Sequence, residues 1–458
     1  MVVYPIITTR HAIGHFMQGN AQTIEQWSRL ERVFSFSVSD ARKLITCFHE
    51  EMKCGLAGQA SSLKMIPCYV RRPTGLECGS YLALDLGGTN LRVLAVELDG
   101  RGGANISAVS RFVIPEPVMH GSGEALFDFL ADGVLLFLEK HGYNLRQNHD
   151  LAFTFSFPVE QSAINVGILL NWTKGFTAFG VEGKDVVALL REALVRKNIK
   201  NISVTALAND TTGTLMTKSY DDASCDMGVI LGTGTNACYS ENLHRIPKYS
   251  VSDDGEREMV VNLEWGNFDK VEMNGYDQEL DRATRNAGLQ RMEKMVSGMY
   301  LGELARLVIL DMIDNGCLLQ KKHRYIFERE YSVTTELLSQ AAGGEDFLAG
   351  FGLENATDHD REAAVRISHI ISRRAARIAG TAIAAVVTWM DAGFERHHTV
   401  AVDGSLFEKF PGFRTNILHI LQELLGDSAE KIALCPAADG SGIGAAIVAA
   451  VASGRSGS

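Results

Sequence analysis

The chain has no run of basic residues, and that shortage bears first on its partners. Asp and Glu number 55 against 44 Lys and Arg, a formal charge of -11. No Lys/Arg cluster offsets that balance, which argues against a nucleic-acid surface. The eight cysteines (Cys47, Cys54, Cys68, Cys78, Cys225, Cys238, Cys317, Cys435) form no C-x-x-C pair and no zinc-type spacing. A chain of this size needs no disulfide staples, so free thiols and a cytoplasmic, reducing compartment are expected. No apolar run reaches the ~20 residues a bilayer requires. The most apolar stretch, 378–390, is shorter and follows Arg373, Arg374 and Arg377, so it reads as a core helix. Residues 1–19 lack a basic n-region ahead of an apolar core, so no secretory signal is expected. The final Gly-Arg-Ser-Gly-Ser is no peroxisomal address. Low-complexity tails and coiled-coil heptads are absent as well.

What is present suits a globular protein with a large core. Hydrophobic residues make up 46% of 458, and the length predicts about three domains of ~150 residues or two larger lobes. Ser39-Asp40 reads as a cap for a helix carrying Ala41, Leu44, Ile45, Phe48 and Met52, closed by Gly55. Residues 61–70 have no clean period and read as a connecting segment or surface loop. Residues 80–86 and 91–98 are apolar runs around Gly87-Gly88-Thr89-Asn90, a strong hairpin signal. Helices are expected over 124–140 and 185–197 and strands over 151–156 and 203–208. That alternation points to an α/β sheet.

The pattern then recurs. Residues 227–231 and 237–240 flank Gly232-Thr233-Gly234-Thr235-Asn236, a second strand–turn–strand of small residues. Each such turn can wrap backbone N–H groups around a phosphate, so an acidic chain can still hold a nucleotide with Mg²⁺. Two of them point to a duplicated phosphate-clamping fold. Helices are expected over 290–313, 362–390 and within 412–425, and 341–360 reads as loop. Strands over 399–402 and 431–434 lead into Asp403-Gly404-Ser405 and Asp439-Gly440-Ser441-Gly442, the latter a turn before a helix over 443–452. A Gly-rich turn at a helix N-terminus suits an anion.

Between the two repeats lies Asn209-Asp210-Thr211-Thr212-Gly213-Thr214. A buried strand precedes it, and a Thr/Gly turn leads into a helix, so Asp210 stands where ligands gather in open α/β sheets. The helix dipole favours its carboxylate form by roughly 0.3–1 kcal/mol. Alone, Asp210 reads equally as an N-cap, Lys174 as a surface lysine, and Glu264 and Glu293 as solvated carboxylates. Their order along the chain separates the readings.

Taken together these segments resemble the hexokinase family. Leu84-Asp85-Leu86-Gly87-Gly88-Thr89-Asn90-Leu91-Arg92 is similar to its first phosphate motif. Phe153–Pro158 and Asn171-Trp172-Thr173-Lys174-Gly175-Phe176 resemble its sugar segments, and Asn209-Asp210-Thr211 its catalytic one. Gly232–Ala237 resembles the second phosphate loop, Glu264-Trp265-Gly266 a further sugar contact, and Val402–Ser405 the adenosine segment. The resemblance runs over roughly 40–452 in the family's order. Asn267-Phe268-Asp269, with Asn and Asp where many members carry Ala and Gly, is more similar to unicellular-parasite members than to vertebrate ones. The segment from Glu264 to Glu293 is short, and Ile443 stands where a Lys is common.

The resemblance implies an α/β protein of two-lobed, duplicated, actin-like ATPase (ribonuclease-H-like) fold with a ligand cleft between lobes. It implies an N-terminal region over 20–215 containing a small lobe at about 72–208. A large C-terminal lobe over 216–455 follows, with 20–71 packed on it. It implies transfer of the γ-phosphate of Mg·ATP to the 6-hydroxyl of a hexose, glucose foremost. Ser156, Phe157, Thr173, Lys174, Asn209, Asp210, Asn236, Glu264, Gln290 and Glu293 would line the sugar pocket. Asp85, Gly87, Gly88, Thr89, Asn90, Arg92, Gly232, Thr233, Gly404 and Ser405 would serve ATP, with Asp85 holding Mg²⁺ through water.

This chemistry suits those residue types. Sugar hydroxyls both donate and accept, so a selective pocket needs carboxylates and amides. Phosphoryl transfer passes through a loose transition state, so positioning matters more than a strong base. Asp210 would orient the hydroxyl and take its proton late, while Lys174 would offset charge on the moving phosphoryl group. Lobe closure on sugar binding would keep water from taking the phosphate. Two other readings stay open here. One is a catalytically weak, hexokinase-like sugar sensor or scaffold, which Asp210 with Lys174 argues against. The other is a further actin-fold protein, such as a chaperone ATPase or bacterial-type sugar kinase. The Trp-Thr-Lys-Gly-Phe and Glu-Trp-Gly segments discriminate against that one.

Overall fold

The computed structural model describes residues 21–88, 90–144, 147–173, 175–249, 257–437 and 439–454. Helices α1 (Ala21–Val33) and α2 (Val38–Leu56) come first, then β1 (Ile66–Pro67) and a meander of β2 (Cys78–Gly87), β3 (Asn90–Asp99) and β4 (Ala104–Val113). After α3 (Glu116–Met119) and α4 (Gly123–Lys140) come β5 (His149–Phe155), the small hairpin β6 (Val159–Ala163) and β7 (Val166–Leu169), α5 (Val186–Arg196), β8 (Ile202–Ala208) and α6 (Asp210–Asp221). The second half opens with β9 (Cys225–Leu231), β10 (Thr235–Asn242) and β11 (Glu258–Asn262), followed by α7 (Gly275–Ala283), α8 (Arg291–Val296), α9 (Gly298–Asp314) and α10 (Thr335–Ala342). It ends with α11 (Asp358–Met390), β12 (His398–Asp403), α12 (Ser405–Lys409), α13 (Phe413–Leu425), β13 (Ile432–Pro436) and α14 (Gly440–Ser453).

The halves repeat one topology. The first sheet runs β4-β3-β2-β5-β8 and the second β11-β10-β9-β12-β13, with β1 added beside β11. In each, three strands form an antiparallel meander and two more lie parallel to the first. Both faces of each sheet are covered, so strand residues are apolar on both sides. On β2, Leu82, Leu84 and Leu86 join the core beneath α4 and α5, while Tyr81 and Ala83 face the other way. On the second sheet Met227, Val229, Val400 and Val402 join a large core with α1, α2 and α11. Residues 27–65 thus pack with the second half.

Between the sheets lie α6 and α14, and here the halves exchange elements. The last helix of the first half, α6, packs chiefly on β9, β10 and β12, whereas α14 packs on β2, β5 and β8. The two helices also press on each other through glycines. A Cβ on Gly444 would stand 2.0 Å from the Gly213 carbonyl oxygen, and one on Gly213 would stand 2.5 Å from that of Gly440. Glycine costs an interior helix about 1 kcal/mol against alanine; here the close crossing requires it.

Several sequence expectations shift. The cap of α2 is Ser37, in a reciprocal box with Asp40, and the helix runs past Gly55 to Leu56. Gly55 is buried there against the Leu63 carbonyl. The segment 61–70 supplies strand β1 and the buried residues Leu63, Met65, Cys68 and Val70; Pro67 is tolerated because the strand is an edge. The helix expected over 290–313 is two helices, parted at Ser297. Helix α11 starts at Asp358, capped by Thr357 and Asp360. Residues 378–390 form its buried second half, and among the described residues no helix is long and apolar enough to cross a membrane. All eight cysteines are free thiols.

Candidate active site

The carboxyl ends of β5, β8, β9 and β12 converge on the starts of α6 and α14. Asn209, just after β8, is the N-cap of α6, its Oδ1 accepting from the Thr211 N–H (3.0 Å) and hydroxyl (2.8 Å). Asp210 is therefore the first helical residue and not the cap, and the expected Thr/Gly turn is the first turn of the helix. Its Oδ1 accepts from the Thr211 N–H at 2.9 Å, and the side chain is half-buried. Thr154 on β5 lies opposite Ala208 on β8, so Ser156 follows on the neighbouring strand end.

Two buried thiols hold the first turn of α6 from behind. Cys238 on β10 donates to the Thr211 carbonyl (3.1 Å), and the Cys68 thiol meets the Thr212 hydroxyl (3.5 Å). Burial pushes the Cys68 thiol up to about 11 and raises that of Cys238 well above the usual range, so both keep the proton they donate. Asn236 precedes Cys238 by two residues on the same strand face, and Asn262 lies directly across from Cys238. Asn236 Nδ2 donates to Asn262 Oδ1 (2.9 Å) and Glu264 Oε1 (3.0 Å), and Asn262 Nδ2 donates to the same Glu264 oxygen (2.8 Å). Asn236 Oδ1 accepts from the Ala237 N–H at 2.7 Å. Glu293, from α8, joins the group by accepting the Thr235 N–H at 3.2 Å. Gly234 and Gly266 leave it room, since a Cβ on either would stand 3.0 or 3.2 Å from Glu293 atoms.

Gln290 precedes α8 and takes an amide bond from Asn286 at 2.5 Å. Glu264, Gln290 and Asp439 all adopt the left-handed backbone region, at φ 53°, 52° and 54°. Non-glycine residues reach it at a cost on the order of 1 kcal/mol or more, and such strain gathers at functional sites.

The first glycine turn closes the β2–β3 hairpin, with Asp85 and Arg92 directly paired across it. Gly87 and Gly88 are half-buried and Asn90 exposed; Gly88 has φ 53°. The Arg92 guanidinium, expected to serve ATP, is engaged with Asp85 Oδ2 (2.9 and 2.7 Å) and Asp439 Oδ1 (2.7 Å). The second turn is held by backbone: the N–H groups of Gly298 and Met299 donate to the carbonyls of Gly232 (2.8 Å) and Thr233 (3.0 Å). That bonding is why the helix breaks at Ser297. Gly404 presses on the same turn, at φ 126° and with a Cβ position 2.3 Å from the Leu231 carbonyl oxygen. Ser405 beside it is exposed.

Phe157, expected to line the sugar pocket, has a ring that is 2% exposed and packs edge-on against Trp172 (4.9 Å) and Phe176 (5.1 Å). Thr173 is half-buried in the same loop. Thr89 and Lys174 lie outside the described residues.

Sequence reasoning passed over Asn262, Asp403, Asp439 and Ser441 as site residues. Asp403 ends β12, and burial, then the nearby Glu408, Asp210 and Asp439, push its carboxyl up to about 6, with Arg92 opposing. The signal for Asp439 and Ser441 was the repeat of a strand–polar–glycine–helix junction already recognised at Asn209–Gly213. Among the described residues no three His, Cys, Asp or Glu side chains are grouped to hold a metal ion.

Comparison with known proteins agrees with this layout. Two family profiles, both described as hexokinase, match residues 26–220 and 226–451. The chain is 36% identical to hexokinase-1 of Schizosaccharomyces pombe over 454 residues, 96% of this chain and 93% of that one. It is 40% identical to hexokinase-3 of Rattus norvegicus over 435 residues, 92% of this chain but 46% of the relative. The chain thus spans about half the length of the mammalian relatives it matches. A solved hexokinase from Schistosoma mansoni complexed with glucose superposes with a TM-score of 0.84 at 34% identity, over 94% of this chain and 99% of that one. By sequence, coverage and architecture alike, the chain belongs to the hexokinase family.

Proposed function

We propose that the chain transfers the γ-phosphate of Mg·ATP to the 6-hydroxyl of a hexose, with glucose the foremost acceptor. The observation that carries this is the gathering of Asn209, Asp210, Asn236, Glu264 and Glu293 at one end of two sheets, between two glycine turns. Amides and carboxylates in that number match an acceptor made of hydroxyls. The glucose bound by the Schistosoma mansoni relative supports the same choice. Asp210 orients the hydroxyl and takes its proton, Ser156 and Thr173 hold the sugar from the first-half side, and Lys174 balances charge on the phosphoryl group. Gln290 and Glu293 complete the sugar pocket beside the second turn. Gly87, Gly88, Thr89 and Asn90 with Gly232 and Thr233 hold the phosphates by backbone N–H groups, and Gly404 and Ser405 flank the nucleotide.

Asp85 suits Mg²⁺ held through water. Mg²⁺ prefers one or two carboxylates plus phosphate and water to a protein cage, and Asp85 stands beside its turn with Oδ2 committed to Arg92 and Ser441. When bound, the ion would neutralise phosphate charge. The lobes are assigned as 20–215, with the small lobe at about 72–208, and 216–455 with 20–71 packed on it. Free thiols fit a cytoplasmic setting.

The direct test is a coupled ADP-release assay across glucose, mannose, fructose and glucosamine. Sugar-dependent turnover that leaves phosphate on the 6-hydroxyl is expected. ADP release indifferent to every hexose would refute the reading.

A further inference from the structure

The start of α14 stands to the first hairpin as the start of α6 stands to the second. Asp85 shares its strand face with Tyr81 and Ala83, which pack toward α14. Its Oδ2 accepts the Ser441 hydroxyl at 2.9 Å as well as Nε and Nη2 of Arg92. Arg92 Nη2 also donates to Ser441 Oγ (2.7 Å), and Nη1 reaches Asp439. The Ser441 carbonyl in turn accepts the Thr154 hydroxyl at 2.8 Å. One serine on a second-half helix therefore touches groups on β2, β3 and β5.

The geometry of the pair is unusual. An arginine facing a carboxylate prefers the forked arrangement, one N–H to each oxygen. Here both Arg92 contacts fall on Oδ2, with the Ser441 hydroxyl on the same atom. Oδ1 lies on the side of the glycine turn, 3.9 Å from where a Cβ on Gly87 would stand. The serine, donating to Oδ2 while accepting from Arg92, holds the guanidinium and the carboxylate in this one-sided contact. Without it the pair can rotate into the fork, and Oδ1 turns from the phosphates toward Arg92.

We propose that Ser441 is a positioning residue for Asp85, keeping one carboxylate oxygen aimed at the first glycine turn for the hydrated Mg²⁺ of a bound nucleotide. This rests on the nucleotide reading given above, and its test needs no turnover. Calorimetric binding of ADP to the full chain is measured in Mg²⁺ and again in EDTA. Ser441→Ala should weaken Mg·ADP by roughly 10-fold, the scale seen when a partner of a metal ligand is lost. ADP in EDTA, and hexose alone, should change less than about 2-fold, and Ser441→Thr should restore most of the Mg²⁺-dependent gain. Equal loss with and without Mg²⁺, or no loss, overturns the proposal. If Ser441→Ala does not fold, Asp439→Asn removes the charge that holds the far end of Arg92 and should show the same Mg²⁺-selective loss; an unselective loss overturns the proposal equally. A wild-type chain that gains nothing from Mg²⁺ in binding ADP also overturns it. A chain that binds Mg·ADP selectively yet phosphorylates no hexose would refute the function and leave the role of Ser441 standing.

Discussion

The two glycine turns share a hairpin and differ in almost everything around it. Across the first, the facing residues are Asp85 and Arg92; across the second they are Ile230 and Asn236. The first turn is set in charge and tied by side chains to the start of α14. The second has no ion pair across it and is tied by backbone to Gly298 and Met299, with Gly404 pressed against it and the Glu293 carboxylate accepting the Thr235 N–H. A duplicated topology has thus been given two chemistries. The charged copy suits a cation and its phosphates. The second copy places Asn236 among Asn262 and Glu264, where an ion pair across the hairpin would compete with hydroxyl recognition. Between them stands Asp210, on the helix that the first half lends to the second sheet.

If both turns only hold substrate while the proton moves to Asp210, the largest loss should come from neither turn. Asp210→Ala should lower kcat by roughly 10²–10⁴-fold, the range for losing a positioned acid or base, with the fold intact by circular dichroism. Mg·ADP affinity should hardly change. A fully active variant would remove Asp210 from the proposed chemistry and leave the comparison of turns without its centre.

The next effect separates the turns from each other. Asp85→Asn should lower kcat/KM for Mg·ATP by roughly 10–100-fold and raise the Mg²⁺ needed for half-maximal rate, with little change in melting temperature. Gly404→Ala should do the reverse. Its φ of 126° and its approach to Leu231 leave no place for a Cβ, so the second turn must move. That should destabilise by on the order of 2–4 kcal/mol in denaturant titration, with no change in Mg²⁺ dependence. Matching Mg²⁺ profiles for the two variants would erase the distinction between the two turns.

Both hairpins were legible because glycine pairs between apolar runs leave few other structures. Their chemistry was half legible. Asn209 and Asp210 stand at a strand–helix junction that local sequence marks, whereas Asn262 has no spacing signal; only the register across from Cys238 brings it to Asn236. The break at Ser297 was hidden because apolar periodicity continues through it, and its cause is a hydrogen bond to a turn far away in sequence. Asp439–Gly442 read as a turn since four such residues favour no helix in isolation. Close packing of Gly440 and Gly444 against Gly213 and Thr214 overrides that preference. The burial of the Phe157 ring was hidden for a different reason: Trp172 and Phe176, which draw it into the core, lie well downstream in the chain.

A single proton beside the second turn gives the smallest and sharpest test. Asp403 ends the strand beside this turn, with its carboxyl raised from 3.8 to about 6 by burial and by Glu408, Asp210 and Asp439. The folded protein therefore binds this proton more tightly than the unfolded chain does. Its contribution to stability is favourable while the proton is on and falls as pH rises from about 4 through about 6, the ionised form being the one that burial disfavours. Asp403→Asn stays neutral throughout. Without ligand, its melting temperature should match that of the wild type near pH 4 and exceed it by on the order of 2 °C at pH 7–8. The gap should open across the same pH interval. Groups elsewhere that titrate there act on both proteins alike and cancel in the difference. A gap that is constant with pH, or that opens toward acid, would mean that burial does not hold the proton on Asp403.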